Sequence, residues 1–159
     1  MLRAITRTTN DFALTILRWA LGLEFFAHGA QKVLGWWGGA GFQATMHGFT
    51  TGMKIPAPLA FLAITAEFLG GIELLLGLLS RIAAFGIGVN MVVAITMVSR
   101  HFGLFMNWGG HQRGEGFEYH LLAIAISVMI MAKGSGALSL DRLLYRQPAP
   151  ARVGRPVVA

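Results

Sequence analysis

Four apolar runs of membrane length dominate this chain of 159 residues. They cover Phe12 to about Trp36, about Pro58 to Leu79, Ile82 to about Ser99, and about Glu118 to Ala132. A helix that crosses the bilayer core needs about 20 residues at a rise of about 1.5 Å each. The second and third runs meet that length. Only Ser80-Arg81 parts them, which forces an antiparallel hairpin. The fourth is short and is expected to cross with little tilt or to begin in the headgroup layer. Residues are 55% hydrophobic and 13% charged, against roughly 25% charged in a soluble domain. That balance excludes intrinsic disorder and argues against a cytosolic enzyme. The chain has no Cys, so disulfides, thiol catalysis and Cys-ligated metals are excluded.

The expected fold is an all-α membrane protein, a four-transmembrane-helix antiparallel bundle with both termini cytoplasmic. Residues 1–11 form a cytoplasmic N-terminal segment in this reading. Residues 12–140 form the membrane domain, and 141–159 a basic, disordered cytoplasmic tail. Orientation follows the distribution of basic residues. Arg3, Arg7, Arg81, Lys133, Arg142, Arg146, Arg152 and Arg155 fall on one side. Lys32, Lys54, Arg100 and Arg113 fall on the other. The net charge of +6 is thus explained by topology and anionic lipid, and nucleic acid is not an expected partner. Ala27-His28-Gly29 would be a poor signal-peptidase site, so the first run is expected to persist. Gly22, Gly70, Gly71, Gly77, Gly86 and Gly88 are expected to bring helices close together. Trp36-Trp37 reads as an interface anchor, and the glycines around it as a loop.

The informative residues are those that hydrocarbon should not hold. The first run contains Arg18, Glu24, His28, Gln31 and Lys32. At about 100° per residue they share an arc of about 140°, so this face is expected to point into the bundle. Counting along the runs puts Glu24, Glu67 and Asn90 at one depth. Two carboxyls in one layer should repel, so at least one of Glu24 and Glu67 is expected to be protonated. Arg18 and Glu73 fall about 9 Å nearer the cytoplasm, which predicts an Arg18–Glu73 pair, with Arg18–Glu67 as the diagonal alternative. Each charge costs roughly 2.5–3.5 kcal/mol to insert, and a Leu returns only about 0.5 kcal/mol. Arg18, Glu67, Glu73 and Asn90 are therefore expected to form a structural polar network. Glu24, His28 and Lys32 form the candidate site for proton exchange or ligand binding.

His28, His47, His101, His111 and His120 all fall in the outer half of this topology. No close pair has the i, i+4 spacing of a zinc-binding helix, and no metal site is expected. His47 and His111 read as solvated loop residues. His28, one turn after Glu24, is the strongest candidate. Glu118 and His120 are candidates at the outer face.

The segment from Arg18 to Lys32, with Gly22 and His28-Gly29, resembles the first-helix motif of the DoxX family of bacterial membrane proteins. Trp36-Trp37-Gly38-Gly39, Glu67-Phe68-Leu69-Gly70-Gly71, Gly77 and Arg81 extend the likeness. Asn107 and Gly116-Phe117-Glu118-Tyr119 complete it, over about residues 12 to 140. The resemblance implies a multi-pass four-helix bundle in the bacterial inner membrane. It also implies a place in a redox complex, quinone-linked as in thiosulfate:quinone oxidoreductase subunits, or concerned with oxidative stress. On that reading the ligand is a quinone, with heme a second choice. His28 would meet a quinone oxygen, Glu24 would orient His28, and Lys32 with Glu118 would balance charge near the outer surface. An oxidoreductase partner subunit and self-association are both expected. The competing readings are a non-catalytic scaffold for a soluble oxidoreductase and a small proton-coupled transporter.

Overall fold

The structure, a computed structural model, describes residues 2–144, and each apolar run in it is a long helix. α1 spans Phe12–Leu34, α2 Ala57–Leu76, α3 Ser80–Met97 and α4 Glu118–Lys133. The boundaries have local causes. Asp11 caps α1 by accepting from the Leu14 amide at 3.1 Å. Pro56 and Pro58 start α2, where their missing N–H groups would have gone unpaired. Gly77, at φ +68°, closes α2 in the left-handed region, and the Leu78 amide reaches the Glu73 carbonyl at 2.9 Å. α3 follows Leu79, whose side chain cannot cap. The Asp141 carboxylate supplies the cap from across the fold, accepting from the Leu79 and Ser80 amides at 2.8 and 3.1 Å.

The four helices run antiparallel in a ring. α1 packs on α2, α2 on α3 and α3 on α4, while α1 meets α4 more lightly. The core holds Leu14, Leu21, Phe25, Leu74, Ile87, Met91, Ala123 and Ile130. The α1–α2 seam is the tightest. A Cβ at Gly29 would strike the Phe68 backbone, and one at Gly71 would strike the Phe26 backbone. Gly70 is less crowded, since a Cβ there would meet the Ile87 side chain at 3.5 Å and the Ala83 methyl at 3.8 Å.

The outside of the ring is apolar on every helix. Leu23 of α1, Leu62 of α2, Phe85 of α3 and Leu122 of α4 are each 59–66% exposed. A continuous apolar exterior of this kind marks a lipid-facing surface. α2 and α3, with mean hydropathies of 1.9 and 1.5, are long and apolar enough to cross a membrane. α1 is 23 residues long but carries three charges, and α4 has 16 residues.

The N-terminal segment, the α2–α3 turn and the chain after α4 meet at one end. The Arg81 guanidinium donates to the carbonyls of Arg7, Met131 and Ala132. The amide of Gly136 donates to Thr8 Oγ1 at 2.8 Å, and that of Ala137 to Thr15 Oγ1 at 2.9 Å. The domain boundary expected after residue 140 needs correction. Leu140–Leu144 is a helix and Asp141 is buried, because its carboxylate is needed at the start of α3. Residues 145–159 of the expected tail lie outside the described residues. The expected loop after Trp37 is also largely helical, with a helix over Gly41–His47 and a π-turn over Gly48–Gly52. Thr45 donates to the Lys32 carbonyl at 3.3 Å, and Phe42 meets Phe61 edge-on, which docks this segment on α1 and α2.

Gly29→Ala should lower stability by about 1–3 kcal/mol, since backbone rather than a mobile side chain meets the new methyl. Gly70→Ala should be neutral or stabilising by up to about 1 kcal/mol through helix propensity. Thermal melts of the two variants in the same detergent check the contrast.

Candidate functional site

The core line of α1 runs through Leu14, Arg18, Leu21, Phe25 and Gly29, which recur every three or four residues and are all buried. Lys32 continues that line. His28 and Glu24 lie about 60° and 100° around the helix from it. The polar arc is therefore split, and the expectation that all of it faces inward is corrected. Arg18 is buried and Lys32 is turned inward, whereas the side chains of Glu24 and His28 are 49% and 48% exposed. His28 Nε2 and Glu24 Oε1 are 3.1 Å apart, the one-turn pair expected of them.

Lys32 Nζ forms an ion pair with Glu67 Oε2 of α2. The other Glu67 oxygen accepts from Asn90 Nδ2 of α3 at 2.8 Å. Asn90 also approaches the Ala63 carbonyl at 3.5 Å. The expected layer of Glu67 and Asn90 is present, and Lys32 takes the place expected of Glu24 in it. Glu24 and Glu67 have separate partners, so they do not share one layer as paired carboxyls. Lys32 is thus a half-buried partner of Glu67.

Arg18 is not paired with Glu73 or Glu67. Its Nε donates to the Ser135 carbonyl at 2.7 Å, and Nη2 to Leu138 at 2.5 Å. Nη1 donates to Leu74 and, at 3.0 Å, to Leu75. The physical reason is the end of α2, whose last carbonyls have no partner within the helix. A guanidinium with five donors satisfies several of them at once. Glu73 is half-buried and has no ion pair among the described residues. Ser135 Oγ donates to Asp141, which links the arginine's carbonyl partner to the cap of α3.

A cavity of about 190 Å³ lies beside the Lys32–Glu67 pair. Phe25, His28, Lys32, Glu67, Met91, Ala94, Tyr119 and His120 line it. His28 both lines the cavity and is exposed, so the cavity reaches the bundle exterior there. Two of the lining residues carry a buried polar atom with no hydrogen-bond partner, Tyr119 Oη and His120 Nδ1. Such groups are rare in folded proteins and mark strain, water or a ligand. His120 Nε2 is 3.3 Å from Ser99 Oγ, and its ring meets that of Tyr119 edge-on.

Glu118 is not in the cavity wall. It accepts from the Met106 amide at 2.9 Å and from Trp108 Nε1 at 3.2 Å, and so pins the 103–117 loop to α4. His47, His101 and His111 are exposed, and they do not converge with His28 or His120 on a metal-binding group among the described residues. Tyr119 and Asp141 were not foreseen as functional. A hydroxyl at the start of an apolar run was the available signal for Tyr119. Asp141 gave none, because its partner is a distant helix start.

These features define a helical bundle with an apolar exterior and an interior cavity where ionisable side chains meet apolar ones, the make-up of a membrane protein. The sequence model of the DoxX family matches residues 13–100. The chain belongs to the DoxX family, and α4, with Tyr119 and His120, lies beyond the matched segment. No curated protein and no solved structure matches significantly.

Lys32→Met should strand Glu67 and destabilise by about 1–3 kcal/mol, below the full cost of breaking a buried pair because Lys32 is partly exposed. Adding Glu67→Gln should recover at least half of that loss. A double-mutant cycle by denaturant unfolding in mixed micelles gives the coupling.

Proposed function

We propose that this chain is a four-span subunit of a redox complex in the bacterial inner membrane, and that its cavity holds a lipid-soluble quinone. The observation that carries the reading is the Lys32–Glu67–Asn90 group beside a cavity within an apolar bundle. Ionisable groups at such depth are expensive and usually functional. α1 and α4 cross together with α2 and α3 in this reading, since all four helices present exposed leucine or phenylalanine. Both termini face the cytoplasm, by the excess of basic residues on that side.

The cavity suits the ligand in size and chemistry. A cavity of roughly 150 Å³ admits one six-membered ring, and this one is slightly larger. A quinone supplies transfer of two electrons and two protons when bound. His28, at the mouth, is placed to donate to or exchange a proton with a quinone oxygen. Glu24 orients the His28 ring through their 3.1 Å contact. Lys32 keeps two spare N–H donors beyond the one given to Glu67. Glu118 orders the outer loop through Met106 and Trp108. With no Cys here, any thiol chemistry belongs to a partner oxidoreductase subunit.

The scaffold alternative draws on one observation, the outer loop with Phe105 67% and Trp108 87% exposed. Co-purification of a soluble enzyme that survives substitution of both Glu24 and His28 would favour it.

His28→Ala should weaken quinone binding at least severalfold and lower the turnover of the assembled complex. Wild-type values for both would overturn the role given to His28. A periplasm-dependent reporter fused to the C-terminus should be silent, and its activity would reverse the topology.

A further inference from the structure

We propose that the end of α2 and the short helix Leu140–Leu144 form a groove for one anionic phospholipid, with Arg142 on its phosphate and an acyl chain along α2. The site needs only the membrane character of the chain and is independent of the quinone reading.

The shape of the groove comes from exposed leucines. It is open, of about 640 Å³, and is walled by Leu76, Leu138, Leu140 and Leu143, with Arg142 among them. The four leucines are 39–62% exposed. Leu76 is also the last residue of α2. Leu62, Leu69 and Leu76 recur every seven residues and so share one side of that helix, and all three are exposed. The stripe they form is about 21 Å long at helical rise, more than the half-thickness of a hydrocarbon core of about 30 Å. α2 is long and apolar enough to cross a membrane, so the stripe faces lipid and the groove lies where it reaches the headgroups. An acyl chain that follows the stripe brings its phosphate to Arg142.

The charges select an anion. Arg142 is exposed, and its Nη1 donates to Asn10 Oδ1 and, at 3.1 Å, to the Ala137 carbonyl. These contacts steady the side chain against the N-terminal segment. Nε and Nη2 make no hydrogen bond among the described residues. Their N–H bonds share one edge of the guanidinium, the fork that two phosphate oxygens fit. The carboxylates at this end offer little competition. Asp141 is buried and accepts from the Leu79 and Ser80 amides, and Asp11 accepts from the Leu14 amide. Glu73, one turn before Leu76, does not line the groove. Arg7 and Lys133 are exposed at the same end and add positive potential. A zwitterionic lipid carries its own ammonium beside the phosphate, so this surface favours an anionic one.

The test is tryptophan quenching in phosphatidylcholine vesicles. Trp19 donates to the Leu75 carbonyl at 3.2 Å, next to Leu76, and is partly exposed. Trp36, Trp37 and Trp108 lie after α1 or in the loop before α4, so the full chain with these three changed to Phe reports from the groove. Acyl-brominated phosphatidylglycerol should quench Trp19 with about fivefold preference over brominated phosphatidylcholine, the worth of one basic side chain at such a surface. Arg142→Gln and Leu143→Glu should each bring the preference close to one. Lys133→Gln, outside the groove, should change it less than about twofold, because exposed charges are screened over distance. Retention of the preference in Arg142→Gln overturns the inference. An equal loss in Lys133→Gln overturns it by showing diffuse attraction. Equal quenching by both lipids overturns it in favour of a groove filled by protein, and relief of quenching by millimolar inorganic phosphate in favour of a free-anion site.

Discussion

The Lys32–Glu67 ion pair is the interaction on which the interior arrangement rests. Among the described residues it is the one ion pair that joins two of the long helices. Glycines make the pairing reachable. Gly29 and Gly71 remove the side chains that would hold α1 and α2 apart, and the pair closes one turn beyond Gly29. Asn90 then extends the contact to α3. Three helices are fixed in register by one carboxylate. In a low-dielectric interior such a group must be fully partnered, and a single helical slip would leave it stranded.

At the opposite end, Arg18 and Asp141 do for backbone what that pair does for side chains. Helix ends expose unpaired carbonyls and amides, and a membrane protein cannot leave them unmet near hydrocarbon. Arg18 takes carbonyls from the end of α2 and from the segment after α4. Asp141 takes the first amides of α3. Ser135 couples the two. The consequence is an asymmetric molecule. One end is closed by backbone-directed polar groups, and the half between α1 and α4 is left loosely packed, with a cavity in it.

Much of this was legible in the residues alone. Apolar runs located all four helices to within a few positions, because hydrophobic length is a direct consequence of burial. The Glu24–His28 contact followed from one-turn spacing, and Glu67–Asn90 from counting depth along a hairpin. Arg18 was misjudged because a buried cation suggests a carboxylate, whereas carbonyls at a helix end serve it equally well. Glu24 and Lys32 exchanged their expected places because a 140° arc is wider than the side of a helix that faces inward. His120 is legible as an outer-half histidine, but Tyr119 joins it in the cavity wall through the ring closure of α4 on α1, a tertiary fact that spacing along the chain does not contain.

On the proposed reading, a ligand is drawn from the lipid phase into a cavity where a few ionisable side chains meet apolar ones. The most direct measurement is the absorption spectrum of the full chain purified in mild detergent from native membranes, followed by organic extraction and mass spectrometry. A quinone recovered at close to one per chain, and reduced in amount by His28→Ala, is the expected result. Recovery of lipid alone, from a protein shown to be folded by its melting transition, would contradict it.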